Sequence, residues 1–342
     1  MSDPLDPLDL YYESLRGQQL APLWTVLKGM VPAEPRPQAV PHQWHFDKVR
    51  GPLIEASGLI TAEEAERRVL VLENPSWAGQ SRITDTLYAG LQIILPGEVA
   101  PAHRHTQSAL RFVLEGQGGY TSVDGERTAM HPGDFIITPQ WTWHDHGHEG
   151  TEPVIWMDGL DVPLVGLLRA GFREEHRDHA QAIVRPEGDS LARYGSGLLP
   201  IRQGSRLTSP VFNYPYERTR EALDACARFD EIDPHQGICL RYVNPTNGDW
   251  AIPSLGTCMR LIPKGWSGQA YRSTDSQVLV VMEGRLDVEI IGGERFSLAP
   301  KDVFALPGWL PYRLHAGPHD AVAFSFSDRP VQERFGLWRE SL

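Results

Sequence analysis

A chain of 342 residues with 41% hydrophobic and 22% charged residues has an ordinary globular balance and the length of about two domains. Its net charge of −12 is spread along the sequence, which disfavours nucleic-acid and membrane-surface partners, and no apolar run approaches the roughly 20 residues of a membrane span. The three cysteines, Cys226, Cys239 and Cys258, are too few and too scattered for a disulfide framework or a Cys-type metal site, and they suit reduced thiols in a cytoplasmic protein.

The first residues, MSDPLDPLDL, lack the basic start and apolar core of a signal peptide. Residues 8–30 carry Leu10, Tyr11, Leu15, Leu23, Trp24 and Leu27 at mostly helical spacings. Pro32, Pro35, Pro37 and Pro41 then force an extended connection. Thr61 and Glu64 form a capping box for a short helix, and residues 68–73 read as a strand stopped by Pro75. Residues 1–80 are therefore expected to be a helical arm with no core of its own, packed on a barrel or on a neighbouring subunit. From residue 81 the pattern changes. The 28 prolines and 32 glycines punctuate short strands at regular intervals, as an all-β jelly-roll requires. Residues 84–95 read as a strand with Leu87, Ala89, Leu91 and Ile93 on one face; Tyr88 and Gln92 lie on the other, which lines a pocket or faces solvent. Further strands follow over 103–105, 110–115, 119–123, 134–138 and 153–160, with a hairpin signal at Asp124-Gly125. A first barrel over 81–165, a mixed connecting segment over 166–240 with a helix near 217–229, and a second barrel over 241–342 complete the plan.

Six of the 13 histidines fall between residues 96 and 148: His103, His105, His131, His144, His146 and His148. His103 and His105 are two apart and share a strand face, and a folded-back strand pair can bring His144 beside them. Three neutral imidazoles on one side of a divalent metal leave its other positions open. The alternative is a solvated histidine cluster. The spacing argues against it: Gly97, five residues, His103-x-His105, three residues, Ala109, six residues, Gly116; then Gly133, five residues, Pro139, and His144 five positions on. These intervals resemble the two cupin motifs. Most cupins carry a glutamate ligand where this chain has Ala109, a glycine at Trp141 and an asparagine at His148, so the resemblance implies a three-histidine site and disfavours oxalate-type chemistry. The second half repeats the spacing with every ligand position changed, to Tyr271, Ser273, Gln277 and Tyr312. It is expected to keep the fold without the metal.

Two tandem barrels with a three-histidine site in the first resemble the gentisate 1,2-dioxygenase family of bicupins, whose relatives act on salicylate and 1-hydroxy-2-naphthoate. The resemblance implies Fe(II) and O₂, ring cleavage between the carboxyl- and hydroxyl-bearing carbons, and maleylpyruvate as the product from gentisate. A small aromatic hydroxy acid suits the ligand set, because three neutral ligands leave the metal its full charge for an anionic chelator. Arg111 stands in an apolar strand, where a bare guanidinium is costly; a substrate carboxylate or an internal acid would answer it. The resemblance adds Arg67 as its assistant and places Gln92 and Asp158 at the pocket. His146, two residues from His144, is a candidate acid or base, or a solvated loop residue. Tyr88 is a candidate selector of gentisate over salicylate, or simply pocket wall. Two other classes stay open: a bicupin that binds an aromatic acid or sugar without turnover, and an isomerase or decarboxylase that needs no O₂. A dimer or tetramer is expected.

Overall fold

A computed structural model describes residues 6–341. It divides into a short N-terminal unit, ending at Arg36, and a body that begins at Pro37. In the N-terminal unit, α1 (Pro7–Arg16) opens after Asp6, whose carboxylate accepts from the Leu8 amide at 2.9 Å. The following α2 (Leu23–Met30) opens after Pro22, and Trp24 Nε1 donates to the Tyr12 hydroxyl at 2.9 Å. The helical spacing over 8–30 thus resolves into two helices. The chain turns between them, with Gln19 at a left-handed φ of 54°.

The body starts with β1 (His42–Trp44), α3 (Phe46–Leu59), α4 (Ala62–Ala65) and β2 (Val69–Val71). The capping box forms as its spacing predicts: Thr61 Oγ1 accepts from the Glu64 amide and Glu64 accepts from the Thr61 amide, both at 3.1 Å. The first module then runs through β3 (Tyr88–Ile94), β4 (Val99–His105), β5 (Ala109–Glu115), β6 (Gly119–Val123), β7 (Glu126–Ala129), β8 (Phe135–Thr138), β9 (His144–His148) and β10 (Val154–Leu160). Between modules lie α5 (Val162–Leu167), β11 (Arg173–Glu175), α6 (Asp189–Tyr194), β12 (Asn213–Tyr214) and α7 (Tyr216–Phe229). The second module comprises β13 (Ile238–Arg241), β14 (Gly256–Ile262), β15 (Arg272–Ser273), β16 (Gln277–Glu283), β17 (Leu286–Ile290), β18 (Arg295–Leu298), β19 (Val303–Leu306), β20 (Tyr312–Ala316) and β21 (Ala321–Ser327), followed by α8 (Arg329–Arg334) and β22 (Glu340–Ser341).

Each module has a six-stranded sheet and a smaller one. The first has the orders β12-β8-β5-β10-β3-β2 and β11-β4-β9-β6-β7; the second has β1-β19-β16-β21-β14-β13 and β18-β17-β20. All these pairings are antiparallel. Two expectations need correcting. An arm reaching residue 80 does not describe the body, because β1 pairs with β19 of the second module and β2 pairs with β3 of the first. Nor is the connecting segment only connective: β11 extends the histidine-bearing sheet and β12 the opposite one. Strands this short carry too few residues for alternation to show in a sequence.

The six-stranded sheets share one core, in which Leu91, Ile93, Phe112 and Phe135 meet Val280, Phe324 and Phe326. Phe112 and Phe324 stack with centroids 4.4 Å apart and planes 6° from parallel, an arrangement worth ~0.5–1.5 kcal/mol beyond the area it buries. One face of β3 serves this core through Ala89, Leu91 and Ile93, joined by Leu87 just before the strand. Gln92 and Ile94, on its other face, are buried too. That face is turned into the first module, not to solvent.

Candidate metal centre and substrate pocket

Antiparallel pairing of β4 with β9 sets His103 opposite His144, and the two-residue period of β4 puts His105 on the same side. Ring centroids are 4.4 Å apart for His103 and His144, 4.9 Å for His105 and His144, and 5.4 Å for His103 and His105. One nitrogen from each ring comes within 4.8 Å of the others, and this is the one such cluster among the described residues. The remaining nitrogens are held by backbone. Nδ1 of His105 donates to the Gln107 carbonyl at 2.8 Å and Nδ1 of His144 to the Thr142 carbonyl at 2.9 Å, while Nδ1 of His103 lies 3.2 Å from the Pro101 carbonyl. A proton on Nδ1 leaves the Nε2 lone pair free for a metal. Burial, with nearby Arg67, lowers the His103 pKa to about 3. Burial lowers His105 to about 4 and His144 well below the usual range. All three are therefore neutral at physiological pH, as ligation requires. The donor set and its anchoring fit a divalent ion.

Beside the triad sit two cations. Arg111, on β5, is 3% exposed. It donates through Nη1 to Thr138 Oγ1 at 2.5 Å and through Nη2 to Nε2 of His146 at 3.0 Å. Asp158, opposite it on β10, is 3.6 Å from Nε, which makes no hydrogen bond. The internal acid is present, but its grip is weak: burial outweighs the guanidinium and raises the Asp158 pKa to about 6. Trp156 Nε1 donates to that carboxylate at 2.9 Å. Arg67, just before β2, donates through Nη2 to the Pro101 carbonyl at 2.9 Å and stands 2.8 Å from Nδ1 of His103. Burial, then repulsion from Arg111, lowers its pKa to about 9, so it stays charged at neutral pH.

His146 is fully buried. Since a guanidinium only donates, Nε2 of His146 accepts from Arg111, and its Nδ1 donates to Thr121 Oγ1 at 3.0 Å. It is not a solvated loop residue, and burial with Arg111 holds it neutral. As placed, both its nitrogens are engaged, so acid or base work requires Nε2 to leave Arg111. Tyr88 is half-buried, and burial, with the Asp158 charge, raises its phenol pKa. Gln92 is 2% exposed. Neither side chain has a hydrogen bond among the described residues, which leaves the phenol and the amide available. His148 is accounted for locally, accepting from the Gly150 amide at 2.8 Å. His131 pairs with Asp134 at 3.4 Å.

A cleft of about 330 Å³ lined by Arg67, Pro101, His103, Arg173, Glu175 and His176 opens beside the triad. A larger one of about 590 Å³ lies away from it, along Leu191, Tyr194, Tyr214 and Leu240, so chemistry and not volume singles out the histidine site. Sequence reasoning missed Thr121, Thr138 and Trp156, which position His146, Arg111 and Asp158. They are unremarkable strand residues, and only the register of β5, β6 and β10 brings them to the charged groups.

Residues 90–162 match the cupin domain. The chain is 52% identical over 332 residues to gentisate 1,2-dioxygenase 1 of Aquipseudomonas alcaligenes, covering 97% of this chain and 95% of that one. The chain belongs to the gentisate 1,2-dioxygenase family. The Streptomyces gentisate 1,2-dioxygenase is 38% identical over 98% of this chain and 95% of its own. The dioxygenase fold also superposes on the crystal structure of salicylate 1,2-dioxygenase from Pseudoaminobacter salicylatoxidans, solved as an adduct with gentisate. The TM-score is 0.92 at 32% identity, covering 100% of this chain and 95% of that one. This dioxygenase is thus a bicupin and a ring-cleaving enzyme of aromatic catabolism. Among the described residues, no helix is long and apolar enough to cross a membrane.

Proposed function

We propose that this enzyme cleaves gentisate, 2,5-dihydroxybenzoate, with O₂, opening the ring between the carboxyl- and hydroxyl-bearing carbons to give maleylpyruvate. The observation that carries the reading is the convergence of three neutral imidazoles, each with Nδ1 at a backbone carbonyl, next to the guanidiniums of Arg67 and Arg111, the latter with only the weakly held carboxylate of Asp158 as an ion-pair partner. His103, His105 and His144 would hold Fe(II), which supplies open positions for an anionic chelator and electrons for O₂. Arg111 and Arg67 supply the positive field that draws in a hydroxybenzoate and orients its carboxylate. A proton on Nδ1 of His103, as ligation through Nε2 requires, faces the Arg67 guanidinium. That cation is then better placed against an anion in the pocket than against the ring. Arg111 presents a planar fork, and releasing His146 to bind a carboxylate would free Nε2 to hold or move a proton at a substrate hydroxyl. Asp158 limits how far Arg111 can turn. Tyr88 and Gln92, which keep their polar groups free, supply hydrogen bonds to the substrate's edge. The reading favours gentisate over salicylate or 1-hydroxy-2-naphthoate because the 52% identical relative bears the gentisate name. A cytoplasmic dimer or tetramer is consistent with the free thiols and with the exposed Leu23, Trp24 and Leu27 of α2.

The test is oxygen uptake by protein loaded anaerobically with Fe(II), run against gentisate, salicylate and 1-hydroxy-2-naphthoate, with the product followed spectroscopically. Uptake should be matched mole for mole by ring-opened product and be fastest with gentisate. Turnover without O₂, or binding without turnover, would refute the reading.

A further inference from the structure

The second module holds a buried charge that the dioxygenase chemistry does not use. Arg260, on β14, is 5% exposed. Its guanidinium donates to Ser325 Oγ and to Gln277 Oε1, both at 3.0 Å and both neutral, and its Nε has no partner. No ion pair between Arg260 and a carboxylate occurs among the described residues. A cation in that position needs an anion or costs several kcal/mol. The register of β13 and β14 sets Cys239 directly opposite Arg260 and Cys258 opposite Arg241. Cys239, Cys258 and Arg260 therefore leave the same face of adjacent strands as immediate and diagonal neighbours. Both cysteines carry free thiols, and both residues are partly buried. The neighbouring Cys258 thiol, then the Arg260 charge, lowers the Cys239 pKa, while the Cys239 sulfur and burial raise that of Cys258. Burial works against the Arg260 charge, and the Cys239 sulfur is the foremost group working for it.

Cys239 also reaches solvent. It lines a cleft of about 630 Å³ whose wall includes Asp230, Glu231, Asp233 and Glu340 against Arg329. That acidic surround repels anionic electrophiles and admits small neutral ones. We infer that Cys239 is a thiolate site for two-electron oxidation by neutral hydroperoxides, with Arg260 as its counter-charge and the Cys258 thiol beside it. In the step, the Cys239 sulfur attacks one oxygen of hydrogen peroxide. The S–O bond forms as the O–O bond breaks, and the departing hydroxide takes a proton from solvent. Sulfur gives up two electrons and becomes a sulfenic acid; the peroxide is reduced to water. The product is neutral, so oxidation removes the anion that balances Arg260.

Cys226 serves as an internal reference, because its hydrogen bond with Asp230 raises its pKa. The experiment treats the full-length enzyme, both as isolated and after metal chelation, with hydrogen peroxide at pH 7 and dimedone present. Each cysteine is then followed by peptide mass spectrometry. Cys239 should lose its free thiol at least about tenfold faster than Cys226, as a dimedone adduct or a cross-link to Cys258, equally with and without metal. Cys258→Ala and Arg260→Met should each slow that loss about tenfold or more relative to Cys226 in the same chain. Equal rates at Cys239 and Cys226 would overturn the inference, as would a Cys239 that stays reduced or one oxidised only in the metal-loaded protein. The wild-type comparison stands even where a variant does not fold.

Discussion

Replacing Arg111 by lysine keeps a positive charge at the pocket and removes the fork. Arg111 uses two terminal nitrogens at once, Nη1 on Thr138 and Nη2 on His146, from a position 3% exposed. An ammonium is a single point and cannot reproduce two parallel bonds to a carboxylate. Asp158 does not compensate, since it already sits 3.6 Å from Nε. If the fork holds the substrate carboxylate through the transition state, the loss is one charge-assisted hydrogen bond. That is about 1.5–3 kcal/mol, or roughly 10- to 150-fold in kcat/KM. The assay is initial-rate oxygen uptake over a range of gentisate concentrations, with bound metal and Tm measured on the same preparation. Metal content should stay at the wild-type level, because Arg111 touches none of the three ligand side chains by hydrogen bond. A kcat/KM within about twofold of wild type at full metal occupancy would refute the anchoring role. A lowered Tm alongside it would leave Arg111 as a group that serves only the fold.

Other expectations follow from the same geometry. His103→Ala should abolish bound metal and activity while the far-ultraviolet circular dichroism stays that of wild type; metal analysis showing full retention would exclude His103 as a ligand. Tyr88→Trp exchanges a hydroxyl that donates and accepts for an indole that only donates, and should cut the preference for gentisate over salicylate by about fivefold, the worth of one neutral hydrogen bond. Asp328 is 5% exposed, and burial, then the Asp275 charge, pushes its pKa up to about 6. A raised folded-state pKa means that the protonated form is favoured, so its contribution is complete below about pH 4 and is lost as pH rises through about 6, a change of about 2–3 kcal/mol. Denaturant unfolding at pH 4.5 and 7.5 should show that drop shrinking in Asp328→Asn, and an unchanged drop would discount the residue.

The histidine triad was legible in the sequence because its spacing on consecutive strands is that of the cupin motifs. His103 and His105 share a face by the two-residue period, and the glycines that set the turns fix where His144 returns. Arg111 was legible for a different reason: a permanent charge in an apolar strand must be answered, and of the two candidate answers the internal acid is present as Asp158, 3.6 Å from an Nε that makes no hydrogen bond. The supporting groups were not legible. Thr121, Thr138 and Trp156 acquire their roles from strand register, and register depends on contacts between residues far apart in the chain. The run from Arg173 to Glu175 reads as charged connection, yet it pairs with β4 alongside the histidines, placing Arg173 opposite His105 and Glu175 opposite His103. Polarity marked it as surface and concealed a strand that covers the site.

The two modules solve one electrostatic problem in opposite ways. In the first, His103 pairs across to His144, and neutral imidazoles leave the centre ready for a metal cation. In the second, Tyr271 and Tyr312 stand in the matching places, bridged to one another with rings 5.8 Å apart. Their hydroxyls are already used: Tyr271 donates to Glu340 at 2.8 Å, and Gln236 donates to Tyr312 at 3.1 Å. Phenols so engaged, with burial raising the pKa of each, are poor metal ligands. The positive charge comes instead from the chain itself. Arg260 stands five residues before Gly265, as Gln92 stands five before Gly97, and it reaches Gln277, which takes the place of Ala109. A guanidinium built into the strand needs no metal to balance the module's polar interior, but it cannot be removed or exchanged. That difference assigns ligand chemistry to the first module and a fixed charge to the second.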